Sequence, residues 1–181
     1  MTKRSAAAAA FLATTDWHDA AQTMLAGDAS NRKYFRLHHP NSGETAVLMD
    51  AAPDAGEDVR PFVKIATHLS AMGLSAPRIL AQDLSQGFLL LEDLGDALFA
   101  RVVATTPAME EPLYQAATDV LTTLHKQPLP DLAPYSPAYM AQMAGLAWGW
   151  YAQHAAGPDP KAQVAFEAAF LPILNSLENS A

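Results

Sequence analysis

The first segment that could bind an anion is a turn-rich loop of small and basic residues, Gly27-Asp28-Ala29-Ser30-Asn31-Arg32-Lys33. Small residues let a backbone approach a ligand closely, and successive N–H groups in such a turn can surround phosphate oxygens. Ser30 and Asn31 add side-chain donors, while Arg32 and Lys33 add positive charge. With a single glycine, the loop is neither a G-x-G-x-x-G motif nor a P-loop. Taken alone, it is more typical of an ordinary hairpin turn with a solvated basic tip.

A second candidate site lies where an apolar strand meets acidic residues and a glycine, Phe88-Leu89-Leu90-Leu91-Glu92-Asp93-Leu94-Gly95-Asp96. Such a junction is typical of a hinge between two lobes, and clefts of this kind often bind ligands. An adenine ring needs apolar faces, one main-chain acceptor and one main-chain donor. The carbonyl of Glu92 and the N–H of Leu94 would supply the last two. Taken alone, a strand-end turn is the commoner explanation.

Antiparallel strands and one helix are predicted to position both candidates. Alternating residues predict strands over 34–37 and 45–49, joined by a Pro-Asn-Ser-Gly turn into a hairpin. An amphipathic helix follows over 61–72, with Pro61 in its first turn and Gly73 as its stop. Strands over 78–83 and 87–92 close the section. The order hairpin, helix, hairpin predicts an α+β fold and not alternating βαβ units.

From Gly95 onward the pattern is almost entirely helical. It predicts helices from about Pro112 to Lys126, from Tyr139 to about His154, and from near Pro160. Pro172 indicates either a kink or a new start in the last of these helices. The expected organisation is therefore a mixed lobe over 1–94 and a helical section over 95–181.

Composition excludes several classes of function. Half of the 181 residues are hydrophobic and 17% are charged, so the chain can bury a core. The net charge of −8 argues against a general nucleic-acid binder. Cysteine is absent and the histidines show no metal-ligand spacing, so no metal residue is assigned.

The chain has no apolar run near the ~20 residues that span a membrane. Its alanine-rich amino terminus faintly resembles a secretory signal. An amphipathic first helix carrying Phe11 and Leu12 is the favoured interpretation, and we expect a cytoplasmic protein.

Together, the segments resemble the aminoglycoside phosphotransferase and choline kinase-like family. The resemblance rests on residues 27–37, 47–53 and 88–96, and it extends over nearly the whole chain. Met-Asp-Ala-Ala-Pro followed by Arg-Pro-Phe at 60–62 looks most like a bacterial branch. That branch phosphorylates the anomeric hydroxyl of N-acetylmuramate and N-acetylglucosamine in cell-wall recycling. The resemblance implies a protein-kinase-like amino lobe followed by the first helices of a carboxyl lobe.

It also implies ATP and Mg²⁺ as cofactors, and a small-molecule acceptor that is most simply a sugar. The loop over 27–33 would lie over the triphosphate, and residues Leu91 to Leu94 would form the adenine-binding hinge. Val47 and Met49 match the strand positions that cover the adenine and hold the phosphate-pairing lysine of kinases. Methionine at the second position leaves Glu57 without a lysine partner.

Another residue must then supply positive charge to the phosphates. Asp50 cannot, because a carboxylate ~5 Å from a phosphate would repel it by ~3 kcal/mol at an effective dielectric of about 20. Arg32, Lys33, Arg36 or magnesium remain as alternatives.

The family's His-x-Asp…Asn catalytic loop has no counterpart after residue 126, so no catalytic residue is assigned. His125 is interpreted as a helix-end residue. We expect residues 1–181 alone to be inactive as a kinase, either as a portion of a longer enzyme or as a non-catalytic nucleotide-binding module. An aminoglycoside or choline is the alternative acceptor.

Overall fold

The computed structural model describes residues 2–25, 30–128 and 130–178, and it divides into two compact units, 1–130 and 131–181. The first unit holds the sheet together with the helices up to residue 125, and the second holds the helices from residue 137 onward. The predicted lobe boundary at residue 95 falls inside the first unit and stays a prediction.

The first unit is built on a five-stranded antiparallel sheet with the order β1-β2-β3-β5-β4. Its strands are Ala21–Met24 (β1), Lys33–His38 (β2), Thr45–Asp50 (β3), Ile79–Asp83 (β4) and Phe88–Glu92 (β5). The two predicted hairpins are confirmed as β2–β3 and β4–β5, and the α+β fold class is confirmed with them. β1 was not predicted. Each of its residues is exposed, so it carries no alternating apolar pattern.

The central strand β3 directs alternate side chains into two separate cores. Ala46 and Leu48 pack with Phe88 on the face that α1 (Lys3–Leu12) covers. Met49 belongs to the core on the opposite face, with Val47 packed against its edge.

Helix α1 has the predicted amphipathic character. Thr2 caps its first turn by accepting a hydrogen bond from the N–H of Ser5. Phe11 and Leu12 are buried, and the ring of Phe11 stacks on Phe88 with centroids 5.6 Å apart. The helix is therefore an integral layer of the first unit.

Helix α2 (Arg60–Ala71) covers the other face of the sheet. Pro61 occupies its first turn as predicted, and Gly73 follows its end with a left-handed φ of +74°. Phe62 packs against the Met49 core, and Ala66 is buried. Two further helices complete this unit, Phe99–Thr105 (α3) and Glu110–His125 (α4). α4 matches the predicted helix, whereas α3 was not predicted.

The second unit is helical throughout its described elements. These are Pro137–Leu146 (α5), a π-helical segment Ala147–Ala152, Gln153–Ala156 (α6) and Pro160–Glu178 (α7). The predicted helix from Tyr139 to His154 is thus interrupted by the π-helical segment, while α7 continues through Pro172. Gly145 lets α5 approach α7, because a Cβ there would lie within 2.2 Å of Glu167 Oε1. No helix within the described ranges is both long enough and apolar enough to cross a membrane.

Candidate functional site

The loop predicted to bind phosphate is fastened to the segment that precedes α2. The backbone N–H of Asn31 donates to Glu57 Oε1 at 3.1 Å, and the Asn31 side-chain amide donates to the carbonyl of Ala55 at 3.0 Å. Gly27, Asp28 and Ala29 lie outside the described residues. Binding of a phosphate by this loop stays a prediction.

Glu57 does have a cationic partner, although none stands at the position of the kinase lysine. Arg32 Nε lies 2.7 Å from Glu57 Oε2, with the two side chains 28% and 12% exposed. The hydrogen bond to Glu57 is the main cause that raises the pKa of Arg32. Arg32 also lines a groove of about 330 Å³ along α2, together with Phe62 and Ile65. Sequence reasoning did not identify this pair, because 25 residues separate its partners.

Met49 and Asp50 point to opposite faces of the sheet. Met49 is 1% exposed and belongs to the core beneath α2. Asp50 faces α1, where Arg4 Nε donates to its Oδ1 at 2.7 Å. The Arg4 guanidinium also lies 3.8 Å from the centroid of the Phe88 ring. Asp50 is therefore directed away from the sheet face that carries Met49.

The predicted hinge follows the end of β5. Leu91 is 4% exposed and packs in the Met49 core, whereas Leu94 is 58% exposed. The Glu92 carboxylate accepts hydrogen bonds from the backbone N–H and the guanidinium of Arg78, which lower its pKa. The Glu92 side chain is thus bound by Arg78, the residue immediately before β4. The role of the Glu92 carbonyl in binding adenine stays a prediction.

Arg36 ties the hinge to the centre of the sheet. It lies opposite Val47 in the β2–β3 pairing, on the same face as Met49. Its Nε donates to Asp93 Oδ2 at 2.7 Å, and its Nη1 donates to Asp96 Oδ2 at 2.8 Å. Asp93 is the better protected acid, with a side chain 5% exposed. We call Arg36, Asp93 and Asp96 the hinge clasp.

The hinge clasp sets the ionisation of both acids. Burial alone would raise the pKa of Asp93, but hydrogen bonds from Arg36, the N–H of Gly95 and Thr45 outweigh it and lower the pKa overall. The pKa of Asp96 is lowered chiefly by its hydrogen bond with Arg36. The two acids in turn raise the pKa of Arg36. The sequence analysis singled out these acidic residues as a possible hinge but not their basic partner Arg36, which lies 57 residues from Asp93.

Within the described part of the chain, no three His, Asp or Glu side chains converge to hold a metal ion. The candidate site consists of the predicted loop, the sheet face that carries Met49 and the predicted hinge, where carboxylates hold Arg32 and Arg36. Such an arrangement can bind a planar apolar group and an anion.

Comparison with known proteins gives a consistent result. A profile described as the phosphotransferase enzyme family matches residues 22–178. A protein of Caulobacter vibrioides is 40% identical over 158 residues, which cover 74% of this chain and 43% of the relative. A Pseudomonas aeruginosa protein is 39% identical, over 68% of this chain and 36% of the relative. A Pseudomonas putida protein is 36% identical, over 71% of this chain and 37% of the relative.

All three relatives carry the name N-acetylmuramate/N-acetylglucosamine kinase. The matched part of this chain spans less than half of the length of each of them.

Proposed function

The chain belongs to the phosphotransferase enzyme family, and from that premise we propose that it forms the nucleotide-binding part of an ATP-dependent sugar kinase. The proposed acceptors are N-acetylmuramate and N-acetylglucosamine. The observation that carries this proposal is the 36–40% identity to three relatives of that name over 68–74% of this chain. The proposal includes a cytoplasmic location, because that is where a cell holds its ATP.

In this proposal, the described residues bind and orient the nucleotide. The Glu92 carbonyl and the Leu94 N–H receive the adenine edge, and Val47 lies against the ring. Ser30 and Asn31 donate to the phosphates. Enzymes that transfer phosphoryl groups act mainly by positioning the reactants and by neutralising charge, so a rigid loop and hinge are the contribution expected of this part.

Magnesium would neutralise charge on the β- and γ-phosphates when bound. Because the described residues form no group of three metal ligands, we assign no residue to the ion and no step to it.

The proposal can be tested with the protein expressed from its complete coding sequence. We would incubate it with ATP, Mg²⁺ and either amino sugar, with choline and an aminoglycoside as rival acceptors, and follow ADP release and ³¹P NMR. An anomeric sugar phosphate is the expected product. Turnover with choline or the aminoglycoside alone would show that the proposed acceptor is wrong. ATP binding without turnover on any of the four acceptors would favour a non-catalytic nucleotide-binding module.

The hinge can be tested separately with two changes at one position. Leu94→Pro deletes the N–H that the adenine would need, whereas Leu94→Ala retains it. We expect Leu94→Pro to weaken ATP binding about fivefold or more, which corresponds to a net hydrogen bond of ~1 kcal/mol, and Leu94→Ala to stay within about twofold. Isothermal titration calorimetry measures both, after circular dichroism has shown that each variant is folded. Equal ATP affinity in the two folded variants would show that adenine does not bind at this hinge.

A further inference from the structure

Four Lys and Arg residues lie in β2, immediately before it or at the first position of α2, and three of them are unsuited to bind a phosphate on the sheet face that carries Met49. Lys33 lies opposite Asp50 in the β2–β3 pairing, which directs it to the α1 face. Arg36 is held by the two acids of the hinge clasp. Arg60 lies beside Asp58 with a side chain 74% exposed, and it points to solvent.

Arg32 is the fourth cation, and its surroundings differ. It stands immediately before β2, at the end of the loop predicted to bind phosphate, and its side chain is 28% exposed. Arg32 lines the groove along α2. That groove is otherwise apolar, with Phe62, Ile65 and Leu69 in its wall. A charge in such surroundings acts on a ligand more strongly than a charge in open water.

Glu57 fixes this guanidinium from one side. Its carboxylate accepts hydrogen bonds from Arg32 Nε at 2.7 Å and from the backbone N–H of Asn31 at 3.1 Å. One carboxylate therefore holds both the loop and the Arg32 guanidinium. A guanidinium has five N–H donors. The contact with Glu57 uses the one on Nε, and a side-chain hydrogen bond with Tyr34 uses another. An arginine positioned by a carboxylate, with donors to spare, is an arrangement suited to phosphate.

Protein kinases position a phosphate-pairing lysine with a glutamate in a comparable way. There the lysine stands on the third strand, where this chain has the buried Met49. Here the cation comes from the loop before β2, and the acid comes from the segment before α2.

We infer that Arg32, positioned by Glu57, binds the phosphates of the nucleotide in place of the strand lysine. The inference rests on the proposed function, since it requires that a nucleoside triphosphate is the ligand. It assigns the phosphate-binding charge to one residue of the three that the sequence offered. Asp50 has no part in it, because that carboxylate binds Arg4 on the opposite face.

The test compares two arginines on the same side of the unit. Arg32→Gln removes the proposed phosphate contact, and Arg60→Gln makes the same chemical change at an exposed arginine that also lies beside an acid. Dissociation constants for ATP and adenosine would be measured by calorimetry on the full-length protein. We expect Arg32→Gln to weaken ATP at least tenfold and adenosine less than twofold, and Arg60→Gln to change both less than twofold.

Two further variants keep the result interpretable. Arg32→Lys retains charge but loses the guanidinium fork, and we expect ATP to weaken threefold or more with adenosine unchanged. Glu57→Gln releases the cation, and we expect a selective loss for ATP smaller than that of Arg32→Gln. If Arg32→Gln does not fold, Arg32→Lys decides.

The outcomes separate this inference from the proposed function. Wild-type protein that binds no ATP would overturn the proposed function itself. If the wild-type protein binds ATP, two results would overturn the role of Arg32 and leave the kinase proposal intact. In the first, the Arg32 variants change ATP affinity no more than Arg60→Gln does. In the second, they weaken the binding of adenosine as much as the binding of ATP.

Discussion

Arg36 shows how one side chain can fix the position of a hinge. Its guanidinium reaches Asp93 and Asp96, so the end of β5 and the segment after it are both held to β2. Asp93 is almost wholly buried and would be destabilising as a lone charge. The hinge clasp therefore stabilises the hinge only while Arg36 is present and both acids are ionised.

The first prediction concerns the pH dependence of this clasp. The pKa values of Asp93 and Asp96 are lowered in the folded protein, so the clasp contributes stability above the ordinary carboxyl value of 3.8. That contribution is lost as the pH falls through the lower folded-state values. We expect Arg36→Met to lower the melting temperature by its largest amount at pH 7. The difference in melting temperature between the variant and the wild type should shrink below about pH 4. Thermal melts at pH 7, 5, 4 and 3 measure it.

Arg101→Met is the matched control, because Arg101 lies 3.9 Å from Asp96 with a side chain 66% exposed. It should change the melting temperature little at any pH. A gap between wild type and Arg36→Met that is as large at pH 3 as at pH 7 would show that Arg36 acts through packing and not through charge.

The second prediction concerns the position where kinases carry lysine. Met49 is 1% exposed, so Met49→Lys would bury an ammonium group in an apolar core. We expect the free energy of unfolding to fall by about 3 kcal/mol or more, as for other unpaired buried charges. Met49→Leu conserves volume and should cost less than about 1.5 kcal/mol. Urea unfolding distinguishes the two. Equal stability would mean that a lysine here reaches solvent or a carboxylate, and that the position is open to a ligand.

At the scale of the elements, the β4–β5 turn holds the strand that leads into the hinge. Asp83 Oδ1 accepts hydrogen bonds from the backbone N–H groups of Ser85 and Gln86, both at 3.0 Å. Gly87 closes the turn with φ +71°, and its carbonyl accepts from the N–H of Ala51 at 2.9 Å. The turn is therefore joined directly to the end of β3.

The third prediction uses two glycines with nearly the same backbone conformation. Gly43 has φ +72° with open space around it, whereas a Cβ on Gly87 would lie 2.0 Å from the Ala51 carbonyl oxygen. Gly43→Ala should cost about 1–2 kcal/mol, the penalty of a left-handed residue. Gly87→Ala should cost about 3 kcal/mol or more, because backbone must also move. Chemical denaturation measures both, and similar costs would show that the turn adapts without disturbing β3.

Elements with a regular apolar pattern were predictable from the sequence, and those without one were not. The hairpins, α2 and α4 follow periods of two or 3.6 residues, and each is present. β1 spans four residues and α3 spans seven, so each is too short to show a repeated apolar pattern. The π-helical segment Ala147–Ala152 was not predicted either.

The same distinction applies to the candidate site. The loop and the hinge could be proposed from the sequence, because small and acidic residues follow one another in the chain, and their roles stay predictions. The pairs Arg32–Glu57 and Arg36–Asp93 were not, because each joins residues that only the sheet and α2 bring together. Asp50 illustrates the limit most clearly, since its face was fixed by strand alternation but its partner Arg4 comes from α1.

At the scale of the molecule, the apolar stripe of α4 is a surface that the rest of the first unit does not bury. Its pattern predicts a buried face, yet Val120 is 49% and Leu121 is 56% exposed. In the second unit, Trp150 and Ile173 are exposed to 68% and 57%. Amphipathicity therefore identified α4 as a helix, while the burial of its apolar stripe depends on which surfaces pack together within a unit.

The last prediction concerns the connection between the two units. Lys126 is exposed at the end of α4, and the described residues from 127 to 136 belong to no helix or strand. Backbone without regular hydrogen bonding is where proteases cut first. We expect limited trypsin digestion of residues 1–181 to cut first after Lys126, giving fragments 1–126 and 127–181 that intact mass spectrometry identifies. Lys126→Gln should slow this first cut about tenfold or more while the melting temperature stays the same, because the side chain is exposed. A first cut after Lys161, inside α7, would instead show that the second unit opens more readily than the connection, and the division at residue 130 would then not describe how the chain unfolds.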